Sequence, residues 1–98
     1  MEVPARFKGK EVLYEKLIKM FIKDLPAEWS PYSAAIADME NTKAFIHKTK
    51  GTAGNLDSKE VYTAAMEFES SLRADAPSEE LYNKFVAACN ALKQSVQI

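Results

Sequence analysis

The feature that most constrains this chain is the spacing of its apolar residues, which recur at helical intervals in four separate segments. The alternation of apolar and polar residues that is typical of strands is hard to find. A first helix is predicted over about residues 9–24, and Pro26 ends it. Its predicted apolar face consists of Leu13, Leu17, Met20 and Phe21. The pattern therefore predicts an all-α fold.

The middle of the chain is predicted to form one short helix and one long helix. Ser30 and Pro31 are typical of a helix start, and they predict a short helix over about residues 31–40. Asn41 or Thr42 is the expected N-cap of the next helix. That helix is predicted to run through Phe45 to Leu56.

Two further helices complete the predicted fold. Asp57-Ser58-Lys59-Glu60 resembles a capping box in which Asp57 is the N-cap. The stripe that follows is Val61, Ala65, Phe68 and Leu72, widened by Tyr62 and Met66. Ala76-Pro77-Ser78 separates it from a last stripe of Leu81, Phe85, Ala88 and Leu92. Because short connections make consecutive helices antiparallel neighbours, we expect an up-down antiparallel four-helix bundle with an extra short helix.

Composition narrows the class of protein. The 98 residues allow one domain, 1–98, and 13 Lys+Arg against 14 Asp+Glu argue against a nucleic-acid binder. We find no signal-peptide pattern at the N-terminus and no apolar run that could span a bilayer. We therefore expect a cytoplasmic monomer that binds neither nucleic acid nor membrane. A single cysteine, Cys89, allows no internal disulfide and is expected to be buried.

The helix predicted over residues 42–56 contains two of the three glycines of the chain and its only histidine. On a helical wheel of about 100° per residue, the side opposite His47 carries the expected core face. That face consists of Phe45, Thr49, Thr52 and Leu56, flanked by Ile46 and Ala53. Within about 60° of His47 lie Lys43, Lys50, Gly51 and Gly54. His47 should therefore face solvent, beside lysines and bare backbone.

This arrangement suits an exposed nucleophile. A glycine inside a helix lowers its stability by about 1 kcal/mol relative to alanine, so two glycines in one helix favour a functional reason. Gly51 and Gly54 would leave room for a partner to approach the imidazole of His47. Lys50, one turn further on, could reach an anion carried by that ring. No acid–base partner of His47 is visible in the sequence, so its chemistry would come from another protein.

The run His47-Lys48-Thr49-Lys50-Gly51-Thr52-Ala53-Gly54-Asn55-Leu56 resembles the signature of histidine-containing phosphotransfer (HPt) domains. The stretch Val61 to Arg73, with Ala65, Phe68, Glu69 and Leu72, is similar to the helix that follows in this family. Upstream, Phe7-Lys8-Gly9 and Leu13 through Phe21 are similar to the first helix of HPt domains from hybrid sensor kinases. The chain departs from the family at Thr49, Asp57 and Ser58, where Leu, Gly and Ala are common.

The resemblance implies a phosphorelay intermediate. His47 would accept a phosphoryl group from the aspartate of a response-regulator receiver domain and pass it to another receiver. Lys50 would assist the phosphate, Gly51 and Gly54 would keep access open, and Lys43, Lys48 and Asn55 are candidate partner contacts. No metal or other cofactor and no independent ATPase or kinase activity are expected, because Mg²⁺ would sit in the receiver. A hybrid histidine kinase, in the same chain or in trans, is a further candidate partner.

Other interpretations stay open from the residues alone. His47 could be a surface histidine without a role, and Lys43 and Lys48 could simply be solvated. The chain could be a non-catalytic helical interaction module. It could also be a substrate domain that a chemotaxis-type histidine kinase phosphorylates directly.

Overall fold

Five α-helices make up most of the chain in the computed structural model, which describes residues 4–96. They are α1 (Glu11–Asp24), α2 (Tyr32–Ala37), α3 (Met39–Asn55), α4 (Lys59–Arg73) and α5 (Glu79–Ser95), preceded by a 3-10 turn at Ala5–Phe7. No strand occurs within residues 4–96. The predicted fold, four long helices in a bundle with one extra short helix, is confirmed.

One apolar core joins the four long helices. Its largest fully buried side chains include Phe68 of α4 and Phe85 of α5. Phe85 also contacts Trp29 and Phe45 edge-on, with ring centroids 5.7 and 6.2 Å away. Cys89 is buried, as predicted, and burial raises the pKa of its thiol to about 12. The core therefore holds the cysteine as an apolar residue.

Helix α1 turns a different side to the core from the one predicted. Its buried residues are Tyr14, Ile18, Phe21 and Ile22. Of the predicted face, Phe21 is buried and Leu17 packs at the edge of the core, but Leu13 and Met20 are 46% and 54% exposed. The prediction was wrong by about a quarter turn of helix. The apolar arc of α1 is wider than the core needs, so packing decides which part is covered.

The ends of α2 and α3 also differ from the prediction. Helix α2 covers only Tyr32–Ala37, and α3 already begins at Met39, so neither Asn41 nor Thr42 is its N-cap. Thr42 lies inside α3, where its hydroxyl donates a hydrogen bond of 2.6 Å to the carbonyl oxygen of Ala35. The side chain that was predicted to start a helix instead ties α2 to α3.

The connection between α3 and α4 corrects the predicted capping box. Asp57 is not an N-cap but adopts a left-handed conformation, with φ of 59°, just after the end of α3. The N–H groups of Asp57 and Ser58 donate back to the carbonyls of Gly54 and Ala53, which closes the helix end. Glycine is the residue best suited to such a position, and aspartate is among the few others that tolerate it. The N-cap position of α4 belongs to Ser58.

Helix α5 begins where the sequence predicts, but its buried side differs from the predicted stripe. Phe85 is buried as predicted, Leu81, Ala88 and Leu92 are only partly buried, and Tyr82 and Cys89 complete the buried side. Ser78 is the N-cap of α5, and its hydroxyl accepts a hydrogen bond of 3.2 Å from the N–H of Leu81. The central stripe of α4 is buried as predicted: Val61, Ala65, Phe68 and Leu72. Tyr62 and Met66, which were expected to widen it, are more than a third exposed. Their side of α4 faces the part of α3 that carries His47 and Gly54, because the ring of Tyr62 packs against Gly54.

Candidate functional site

His47 lies in the middle of α3 and faces away from the core, as the helical wheel predicted. The buried side of α3 is Ile46, Thr49 and Ala53, so the two residues predicted to flank the core face are buried, whereas Phe45 and Thr52 of the predicted face are only partly buried. The His47 side chain is 69% exposed. The rigid packing of one helical face thus presents the imidazole on the other face to an approaching molecule.

A glutamate from the neighbouring helix holds the ring. Nδ1 of His47 lies 3.0 Å from Oε2 of Glu69, which is on α4. Nζ of Lys50 donates to the other oxygen, Oε1, at 2.6 Å. One turn further along α4, Nη2 of Arg73 lies 3.6 Å from Oε2. Three side chains that can carry positive charge therefore surround one carboxylate.

Glu69 is buried, with its side chain only 7% exposed, and its neighbours favour the ionised form. Burial alone would raise its pKa. The hydrogen bonds from Lys50 and His47 and the charges of Lys50 and Arg73 outweigh burial, so the pKa lies below its ordinary value. A buried carboxylate of this kind is stable only while its cations remain in place.

The Glu69 carboxylate determines which ring nitrogen of His47 carries the hydrogen in their contact. Because Glu69 can only accept, the contact requires that Nδ1 of His47 carries a hydrogen and donates it. A neutral imidazole with hydrogen on Nδ1 has its lone pair on Nε2. In a neutral ring held this way, Nε2 is therefore the nitrogen with the free lone pair, and the ring that carries it is exposed.

The two glycines near His47 have different surroundings. Apart from its two chain neighbours and the nearby backbone of α3, a Cβ built on Gly51 would meet no atom of residues 4–96 within 4 Å. A Cβ on Gly54 would lie 3.4 Å from two ring carbons of Tyr62, because this tyrosine of α4 covers that part of α3. Gly51 thus offers the open approach that was predicted for both residues. Gly54 has a second reason to be small, namely the close packing of α3 against Tyr62.

The other predicted contact residues lie on the surface of the same helix. Lys43, Lys48 and Asn55 are all exposed. Lys50, with 22% of its side chain exposed, bends toward Glu69 rather than into solvent. The backbone carbonyl of Asn55 accepts a hydrogen bond of 3.0 Å from Arg6, which joins the N-terminal segment to the end of α3.

Sequence reasoning missed the roles of Glu69 and Arg73. Glu69 follows Phe68 directly and stands four residues after Ala65 and three before Leu72, at the edge of a buried stripe. Charged residues are almost never fully buried unless they are paired, so this position was a signal that a cation from elsewhere faces it. The spacing within α4 does not identify which cationic residue pairs with Glu69.

Within residues 4–96, no three His, Cys, Asp or Glu side chains are grouped as a metal site would require. None of the helices described there combines the length and the apolar character needed to cross a membrane. Comparisons with protein-family models, with curated proteins and with solved structures found no match to this chain.

Proposed function

We propose that this protein is a histidine phosphotransfer intermediate of a phosphorelay. His47 accepts a phosphoryl group from the aspartyl phosphate of a receiver domain and passes it to the aspartate of another receiver. The observation that carries the proposal is the exposed imidazole of His47, whose Nδ1 lies 3.0 Å from Oε2 of Glu69, which leaves Nε2 as the nitrogen able to attack phosphorus. The resemblance of residues 47–56 to the HPt signature supports the same function.

The transfer step needs few groups from this chain. The lone pair of Nε2 attacks phosphorus, the P–N bond forms, and the P–O bond of the aspartyl phosphate breaks. The electron pair of the broken bond stays on the aspartate oxygen. The attacking and leaving atoms must be roughly in line, and negative charge on the phosphoryl oxygens must be neutralised. The receiver would provide Mg²⁺ and its acidic pocket, and His47 provides the positioned nucleophile.

The surface around His47 fits a bulky and acidic partner. Gly51, one turn from His47, leaves the approach to the ring free of a side chain. Lys43 and Lys48 lie exposed near His47 on α3, and Lys50 and Arg73 lie beside Glu69. This positive charge would attract the acidic pocket of a receiver and would stabilise the phosphoryl group on the ring. Since receivers operate in the cytoplasm, we place the function there.

The direct test is transfer from a panel of phosphorylated receiver domains, with Mg²⁺ present. We expect a label on the wild-type chain that is labile in acid and stable in base, and no label on His47→Gln. Lys50→Gln should slow the transfer, whereas Lys84→Gln, which removes an exposed lysine of α5, should not. Lys84 is the matched control because its ion pair, with Glu80, lies within one helix.

Two other outcomes would change the conclusion. Transfer from an ATP-bound histidine kinase domain, but from no receiver, would make the chain a direct kinase substrate. Absence of label from every receiver and every kinase domain would contradict phosphotransfer and leave a non-catalytic interaction module.

A further inference from the structure

The outward side of α1 carries a narrow apolar stripe that the core leaves uncovered. Leu13 and Met20 are about half exposed, and Leu17 between them lies at the edge of the core. Their spacing of four and then three residues is that of a coiled-coil seam, in which the a and d positions of a heptad face a second helix. With Leu17 at an a position, Leu13 and Met20 occupy d positions. These three residues form the seam of α1.

Lysines border the seam on one side. Lys16 and Lys23 stand one heptad apart at the g positions, and both are exposed. Neither of them takes part in an ion pair within residues 4–96. The e positions on the other side of the seam are Tyr14 and Phe21, which are buried in the core. A molecule that covers the seam therefore meets positive charge along one of its borders.

This charge argues against a second copy of the chain as the molecule that covers the seam. In an antiparallel pair of α1 helices the g positions face each other, so Lys16 and Lys23 of one copy would approach the same lysines of the other. In a parallel pair the lysines would face the e positions, which are buried in the core of each copy. Either arrangement leaves Lys16 and Lys23 without an acidic partner, which disfavours self-association.

The width of the seam argues for a helix rather than a lipid bilayer as its partner. A helix that lies in a membrane interface buries a broad apolar face among the lipids. The broad apolar face of α1 is already turned inward, where it buries Tyr14, Ile18, Phe21 and Ile22. The part left outside is a stripe of a and d positions, and such a narrow stripe is the seam that one partner helix covers.

We propose that the seam of α1 binds an acidic amphipathic helix of a partner protein. The partner packs apolar side chains against Leu13, Leu17 and Met20 and places carboxylates opposite Lys16 and Lys23. The seam shares no residue with the site around His47, which is built from α3 and α4. This binding surface therefore goes beyond the proposed phosphotransfer and does not depend on it.

The probe for this surface is a synthetic peptide of about three heptads, with Leu at the a and d positions and Glu at the e and g positions. We expect calorimetry to show that the full chain binds this peptide and amide NMR shifts to change along α1. Binding should weaken as the salt concentration rises, because the lysines beside the seam are exposed. A peptide of the same design with Lys in place of Glu should not bind.

Two pairs of variants locate the contact. Met20→Gln should weaken binding of the acidic peptide about tenfold, because it removes an apolar anchor of the seam. Val12→Gln should bind like the wild type, since Val12 is 83% exposed but lies about 80° around the helix from Met20. Lys16→Glu should also weaken binding about tenfold, whereas Lys84→Glu, the same change of charge on α5, should not. All four side chains are exposed, so each variant should fold.

Several results would overturn the inference. They are absence of saturable binding up to about 1 mM acidic peptide, and equal binding of the Lys peptide. A dimer in sedimentation that Met20→Gln dissociates would show that a second copy covers the seam instead. Flotation with anionic lipid vesicles that Met20→Gln abolishes would assign the seam to a bilayer. His47→Gln should bind the peptide like the wild type, so the seam and the proposed phosphotransfer can each fail without the other.

Discussion

At the scale of single residues, the site depends on what is missing as much as on what is present. Gly51 stands in the interior of α3, with open space where a side chain would be. Glycine in a helix interior lowers stability by about 1 kcal/mol relative to alanine. No packing in residues 4–96 requires a glycine there, and we propose that its role is to leave the approach to His47 open.

We therefore expect Gly51→Ala to exchange activity for stability. The free energy of unfolding, measured in urea, should rise by about 1 kcal/mol because the helix gains a better helix former. Transfer from a receiver to His47 should become about tenfold slower, because a methyl group would displace the partner from in-line geometry.

Gly54→Ala is the comparison, because its Cβ would meet the ring of Tyr62 rather than open space. It should gain less stability than Gly51→Ala. A more stable Gly51→Ala chain that accepts phosphoryl groups at the wild-type rate would contradict the access role of Gly51.

At the scale of elements, α1 shows how a helix can be more apolar than its place in the fold requires. Apolar residues cover more than half of its circumference, from Leu13 and Met20 on one side to Ile22 on the other. Only the part around Ile18 is buried completely. The helix is recognised easily from such a pattern, but its rotation about its own axis is not.

The rotation of α1 can be tested with two truncations. Ile18→Ala should lower the free energy of unfolding by about 2–5 kcal/mol, because it leaves a cavity in the core. Met20→Ala, two residues away, should change it by less than about 0.5 kcal/mol, since that side chain is half exposed. Urea unfolding followed by circular dichroism measures both. Similar losses in the two variants would restore the face predicted from the sequence.

At the scale of the whole molecule, the contact between α3 and α4 contributes both to the packing of the bundle and to the candidate site around His47. The helices run antiparallel, so that Gly54 lies opposite Tyr62 and His47 lies opposite Glu69. The buried carboxylate of Glu69 joins them through Lys50 and His47. Its pKa, lowered by these partners against the effect of burial, links the packing of the bundle to pH.

Stability should therefore fall in acid because of Glu69. Its ordinary pKa is 4.5, and the folded value is lower, so the unfolded chain binds the proton first as the pH decreases. The stabilisation is complete above the ordinary pKa and is lost as the pH falls through the folded pKa. Urea unfolding at a series of acidic pH values should show a shallower decline for Glu69→Gln than for the wild type. A decline of equal slope in both chains would mean that Glu69 is not linked to folding.

Much of the fold was predictable because its signals are local. The stripe of α4, the Ser78 cap and the outward direction of His47 each depend on residues within a few positions of one another. Helix ends were harder: Thr42 and Asp57 can both serve as caps, but one bonds across to α2 and the other closes the end of α3. Where a helix ends therefore depends on which of several possible partners each polar group binds in the folded chain.

The sequence by itself determined that this is an all-helical chain with one exposed histidine beside Lys50 and Gly51, because helical periodicity relates residues three and four positions apart. Only the tertiary structure decided that α1 is rotated toward Ile18 and that Glu69 meets His47. These two residues are 22 positions apart on different helices, and no periodicity connects them. Their contact follows from the packing of α3 on α4, which buries a carboxylate and thereby obliges it to bind Lys50 and the imidazole.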